Sequence, residues 1–139
     1  MSIYNSIGDN TFSFASIPVP DCEDGKCRNP ECAQKALDDL NQGIQDAAKK
    51  AGDAYDAAVG VKQAALVASE AQYTTCAENT GDTWDGWWAC WTAQQDRDNE
   101  IEGDFDTTVA DIARTFSTDV KAIKDKYKSD MAKCCEDCE

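Results

Sequence analysis

The chain contains no histidine, which excludes every mechanism that needs an imidazole base and every His-ligated metal site. No stretch approaches the roughly 18 uncharged apolar residues of a membrane span, so no spanning helix is expected. Residues 1–20 have neither a basic n-region nor a continuous apolar h-region, so the chain as given shows no export signal. Basic residues are scarce: 13 Lys and Arg against 27 Asp and Glu leave a net charge of −14. That balance argues against nucleic-acid backbones and anionic lipid surfaces, which need clustered cations to displace counterions, and it keeps copies of the chain apart in solution. With only four Phe, four Trp and four Tyr among 139 residues, the core is expected to be thin and the protein to form one elongated domain.

Cysteine, by contrast, is abundant: eight residues, an even number, as in proteins of an oxidising compartment. Removal of a signal before residue 1, export by another route, or thiols bound to metal would each reconcile this with the missing signal. The placement is regular. The numbers of Cys32 and Cys134, and of Cys76 and Cys90, add to the same total, 166, and 43 residues separate the members of each half. Residues facing each other across an antiparallel hairpin share one sum, so Cys76 should meet Cys90 at a tip and Cys32 should meet Cys134 at the open end.

Residues 1–28 hold two of the three prolines together with turn formers and show no helical period; they read as an extended N-terminal arm, with alternation over Thr11–Ala15 suggesting a short edge strand. Phe12, Phe14, Ile17 and Val19 either pack on their own hairpin or reach onto a neighbouring subunit. Residues 29–139 read as the hairpin. Asn29 is a cap, Pro30 a first helical residue and Glu31 suits the positive end of the dipole, so a first helix should run over about 30–79, with Gly81 as a left-handed stop. Ala33, Leu37, Leu40, Ile44, Ala47, Ala51, Ala54, Ala58, Val61, Ala65 and Ala68 recur at steps of four and three, a heptad seam. After a turn at 80–83, capped by Asp82 or Thr83, a second helix is expected over about 84–133, with a Cys-rich tail at 134–139.

The stripe of the second helix is Trp87, Trp91, Gln94, Ile101, Phe105, Val109, Ile112, Phe116, Val120, Ile123, Tyr127 and Met131. In the 166 register its large residues meet small ones: Ile112 faces Ala54, Phe105 faces Val61 and Ile101 faces Ala65, as a close-packed seam requires. Helices of roughly 50 residues are about 75 Å long, and two of them bury little area per residue, so staples or oligomerisation are needed. The loops closed by Cys76–Cys90 and Cys32–Cys134 are worth about 3 and about 4–5 kcal/mol in the chain-entropy model.

Cys22, Cys27, Cys135 and Cys138 fall at the open end beside Cys32 and Cys134. Two further disulfides joining the N-terminal segment to the tail are one reading. A thiolate site for Zn or Cu built from these six is the alternative, although the spacings follow no familiar zinc motif. No cofactor motif is present and no enzyme is expected.

Trp84, Trp87, Trp88 and Trp91 lie at helical spacing around the tip staple. They either close the tip over the first helix near Tyr73 or form a partner-binding surface, the use in which Trp is most enriched. Trp84-Asp85-Gly86 in a helix–helix turn resembles the Trp-x-Gly signature of small helical hairpins exported by type VII secretion. That resemblance implies export without a cleaved signal and dimerisation. Tyr127 is followed four residues on by Met131, where that family carries an acidic residue, and the eight cysteines are foreign to its pattern. The paired staples are also similar in plan to twin-cysteine hairpins of the mitochondrial intermembrane space, with a far longer spacing here.

Asp96, Asp98, Glu100, Glu102, Asp104 and Asp106 read as a solvated acidic helix face; the alternative is a calcium loop starting at Asp98, with Val109 where a bidentate Glu belongs. A second apolar stripe, Tyr55, Val59, Leu66 and Tyr73, runs beside the seam and should be covered by the arm or by another hairpin. These features together point to an extracellular or otherwise oxidised, non-enzymatic structural or interaction module, a disulfide-stapled antiparallel coiled-coil hairpin. It would bind itself or another protein through the Trp-rich tip, the acidic face, the second stripe or the arm.

Overall fold

A computed structural model describes residues 17–138; Phe12, Phe14 and the Thr11–Ala15 stretch lie outside them. The elements are β1 (Lys26–Arg28), α1 (Pro30–Asn79), α2 (Trp84–Lys133) and β2 (Cys135–Asp137). The fold is the all-α antiparallel two-helix hairpin read from the sequence, stapled by four disulfides. A two-stranded sheet that the sequence reading did not include is added to it.

The helix ends follow local chemistry. The Cys32 N–H donates to Asn29 Oδ1 at 3.0 Å, satisfying one of the free donors of the first turn, and Pro30 follows as the first helical residue. Gly81 takes φ +65°, the left-handed stop that a side chain would resist. At the start of α2 the cap is Thr83, not Asp82: the Gly86 N–H donates to Thr83 Oγ1 at 3.2 Å.

The chain forms two compact units. The first comprises the chain up to Gly52 together with the part from Ala113 onward. Its core is Ala36, Leu40, Ile44, Ala47 and Ala51 from α1 against Phe116 and Val120 from α2 and Cys134 just past its end. Small residues face large ones here as expected: a Cβ built on Gly43 would stand 3.1 Å from Cγ2 of Ile123, so the glycine lets the isoleucine approach. β1 and β2 pair antiparallel, Lys26 with Asp137, Cys27 with Glu136 and Arg28 with Cys135. The Asn29 N–H extends the pairing to the Cys134 carbonyl at 2.9 Å. Lys26 and Asp137 form an ion pair across the sheet.

The second unit is Asp53–Ile112. Only Ser69, Cys90 and Ile112 are buried in it. Here the heptad seam read from the sequence does not hold. Val61 is 71% exposed and Ala54 and Ala68 are exposed. The inward face is instead the second stripe: Tyr55, Val59, Leu66 and Tyr73 are half-buried, Ser69 is buried, and Cys76 carries the staple. Phe105, expected opposite Val61, lies with its ring centroid 6.0 Å from that of Tyr55 and beneath the Lys62 ammonium at 4.6 Å. Two successive four-residue steps, Ala47 to Ala51 to Tyr55, cause the change. A straight α-helix turns about 20° per heptad away from a strict seven-residue repeat, and such a step resets the phase. The second stripe is therefore packing surface within the hairpin and is not left over for another one.

Candidate functional site

Two features stand out from the helical scaffold: a disulfide clasp where the N-terminal segment meets the tail, and a tryptophan surface on the first turns of α2. The clasp joins Cys22 to Cys135, Cys27 to Cys138 and Cys32 to Cys134, with Cα–Cα separations of 5.7, 5.0 and 5.5 Å. Cys76–Cys90, at 5.7 Å, is the fourth bridge. Both bridges implied by the 166 register are present, and the other four cysteines tie the N-terminal segment to the tail, the first of the two readings of the open end. The alternative of a Zn or Cu thiolate site is overturned by this pairing, since no cysteine is free and a disulfide sulfur is not a thiolate. Among the described residues no group of three or more His, Cys, Asp or Glu is placed to hold a metal ion.

The clasp also anchors the arm. Arg28 donates through Nη2 to the Pro20 carbonyl at 2.6 Å and through Nε to the Met131 carbonyl at 3.3 Å. The Cys138 N–H donates to the Gly25 carbonyl at 3.2 Å, and Gly25 turns the chain with φ +81°. Ile17 and Val19 are half-buried.

Trp84, Trp87, Trp88 and Trp91 occur at steps of three and four, which places them on one face of α2. They do not close over α1: they stack on one another. Ring centroids are 5.0 Å apart for Trp84–Trp87 and for Trp88–Trp91, and 6.2 Å for Trp84–Trp88. Their exposures are 69%, 37%, 49% and 37% in chain order. Cys90, by contrast, is 1% exposed, so the bridge fixes the helix while the indoles face outward. Four contiguous exposed indoles form an apolar surface of the kind that marks an interaction site. The glycine of Trp84-Asp85-Gly86 has a local explanation: a Cβ there would lie 2.7 Å from Thr80 Cβ and 2.7 Å from Thr83 Oγ1, blocking the cap.

The acidic run from Asp96 to Asp106 is continuous helix. A calcium loop starting at Asp98 is thereby excluded, because loop ligands must wrap the ion and helical ones point in different directions. Glu102 instead pairs with Lys62 at 3.0 Å, and Arg97 donates to Ser69 Oγ at 3.2 Å and to the Ser69 carbonyl at 3.0 Å. Asp98 Oδ1 is buried and lacks a hydrogen-bond partner among the described residues. The sequence places Asp98 on a solvated face or at the start of a calcium loop and not at a buried position; the one signal for burial is its place seven residues beyond Trp91 and so on the same face.

The first unit carries its own charge pattern. Lys126 bridges Asp130 at 2.6 Å and Asp39 at 3.8 Å, and Lys35 reaches Asp39 at 2.8 Å. The hydrogen bond from Lys35, with the field of Lys35 and Lys126, holds the Asp39 carboxyl below the usual range although desolvation opposes it. The hydrogen bond and charge of Asp130, then Asp39, raise Lys126. These ions flank an open groove of about 300 Å³ lined by Leu40, Gly43, Ile123 and Tyr127. The lysine of the groove is held between the two carboxylates. No helix among the described residues is long and apolar enough to cross a membrane.

No protein-family model, curated protein or solved structure matches the chain.

Proposed function

We propose that the protein is a non-enzymatic interaction module, a disulfide-stapled helical hairpin that presents the stacked indoles of Trp84, Trp87, Trp88 and Trp91 to a partner protein. The observation that carries this reading is the exposure of all four rings on a helix pinned by the Cys76–Cys90 bridge. A rigid aromatic surface loses little side-chain entropy on binding, which is why Trp dominates interface energetics. Four disulfides suit an oxidising environment, and the module is read as acting outside the cytosol, extracellularly. The lack of histidine and of free thiols supports the non-enzymatic part. Self-assembly is the less favoured route, since the stripe once available for a second hairpin is used within the first.

The test is a photo-crosslinking residue placed at Trp88 of the full oxidised chain, with the exposed Val67 as the control position. Illumination in the producing cells and their medium should give a specific protein adduct, identified by mass spectrometry, from position 88 and not from 67. Identical adducts from both positions, or none from 88, would remove the reading.

A further inference from the structure

The charge around the tryptophan surface defines what could lie on it. Residues 53–112 hold thirteen of the 27 acidic residues but only two of the 13 basic ones, Lys62 and Arg97, and so carry −11 of the total −14. Both cations are engaged within the hairpin, Lys62 by Glu102 and the Phe105 ring, Arg97 by Ser69. Lys62 shows how this unit holds a positive group: one side of the ammonium meets an aromatic face at 4.6 Å, and a carboxylate lies 3.0 Å away. The tryptophan face offers the aromatic component without a cation over it among the described residues, and the carboxylate of Asp98 lies further along the same face of the helix. Four indoles, the best cation–π acceptors among side chains, lead along α2 to Asp98, whose Oδ1 is buried and unpartnered. At 1.5 Å per residue the step from Trp91 to Asp98 is about 10 Å, within the reach of neighbouring side chains on one extended peptide.

Resting on the docking reading above, we infer that the partner segment is cationic: an arginine- or lysine-rich stretch of another protein, its guanidinium or ammonium groups stacked on Trp84, Trp88 and Trp91 and one of them paired with Asp98. Residues 1–16 contain no Lys or Arg, and the lysine-rich stretch 121–133 is helix whose Lys121 and Lys126 are already paired with Asp125 and Asp130, so the chain offers no extended basic segment there, and a net charge of −14 sets a second copy against the first. An anionic lipid surface is disfavoured for the same reason. Arginine should outperform lysine, because its planar group stacks on an indole while still donating to a carboxylate.

The experiment is a titration of the oxidised full chain, followed by indole fluorescence at physiological salt, with a peptide of alternating Arg and Gly as probe. The matched Lys-Gly peptide, a Glu-Gly peptide and neutral phosphatidylcholine vesicles serve as comparisons. Screening at that ionic strength suppresses the diffuse attraction of a −14 protein, leaving contact terms. The Arg peptide should bind more tightly than the Lys peptide, and the Glu peptide not at all. Trp84→Leu/Trp88→Leu, which keeps an apolar face and removes the π surface, should weaken Arg-peptide binding roughly tenfold. Asp98→Asn should weaken it several-fold, with helicity by circular dichroism unchanged in both variants. Equal affinity of wild type and the double Leu variant would overturn the inference, since only the general field would then be acting. So would an indole response to the vesicles without one to the peptide. A crosslinked partner at position 88 that lacks a basic segment would remove the cation and leave the docking surface standing, whereas no crosslink at all removes the surface.

Discussion

Arg97 grips Ser69 twice, Nε to the hydroxyl at 3.2 Å and Nη2 to the carbonyl at 3.0 Å, and Ser69 is only 1% exposed. In a unit with so few buried residues this polar contact takes the place that a pair of aliphatic side chains would fill elsewhere. Arg97→Met keeps the apolar stem and deletes the donors, leaving a buried hydroxyl to find another partner. It should lower stability by about 1–3 kcal/mol, and Ser69→Ala by about 1. Because both changes remove one interaction, the double variant should cost less than the two singles together in urea unfolding. Strict additivity would show that the two residues stabilise independently.

Glycines at different places on the helices should respond oppositely to the same substitution. Gly60 and Gly103 have nothing within 4 Å of a built Cβ, so alanine there should gain about 1 kcal/mol from helix propensity alone. At Gly43 the new methyl would press on Ile123 at 3.1 Å, and that gain should largely vanish; adding Ile123→Val should restore it. Gly86→Ala should destabilise despite the better propensity, because its Cβ would collide with Thr80 and the capping hydroxyl of Thr83. Thermal unfolding of the four single variants orders them, and a stabilised Gly86→Ala would break the account of the cap.

Most of the fold was legible because helix ends and cysteines are local or arithmetical signals. Asn29-Pro30, Gly81 and the sum of 166 place both helices and two bridges without any knowledge of packing. Gly43 with Ile123, and Ser69 with Arg97, turn out to share that sum. The seam was legible only as far as Ala51. Beyond it, alanine is so frequent along α1 that several phases look equally apolar, and the heptad extended from Leu40 ran out through Val61. Counting back from Cys76, whose inward position was already fixed by its partner, leads through Tyr73, Ser69, Leu66, Lys62 and Val59 to Tyr55 and would have found the true face. Ser69 and Lys62 hid it, as polar residues on a buried stripe. The sheet was invisible because three-residue strands have no period to read, and the unpartnered Asp98 oxygen is a matter of side-chain geometry that no spacing rule reports.

Removing the tip bridge should loosen one part of the protein selectively. Cys76 and Cys90 are 14 residues apart, a short loop whose closure is worth about 3 kcal/mol, and the unit that contains them buries three residues. In Cys76→Ala/Cys90→Ala, backbone amides within 53–112 should exchange hydrogen much faster, while those around Leu40 and Ile44 keep their protection. Intact mass before and after reduction should differ by eight hydrogens in the wild type and six in the variant. Equal acceleration in both units would show that they open together.

The lysine–aspartate network of the first unit should make a small contribution to stability with both an acid and an alkaline limit. Asp39 has its pKa lowered by the hydrogen bond from Lys35 and by the charges of Lys35 and Lys126, so its contribution is present above the ordinary carboxylate value and fades as pH falls through the depressed one. Lys126 has its pKa raised, first by its hydrogen bond to Asp130, so its contribution is complete below the ordinary lysine value and fades as pH rises through the elevated one. The sign is thus opposite at the two ends. Lys126→Met should be less stable than wild type throughout the range between the ordinary carboxylate and lysine values, and the difference should close as pH falls below the first or rises above the second. These groups are exposed, so the gap should be small and should shrink further in high salt. Paired urea titrations across the pH range measure it, and a gap that persisted at pH 2 would mean that the Lys126 side chain stabilises by packing its stem in the groove beside Tyr127 and not by its charge.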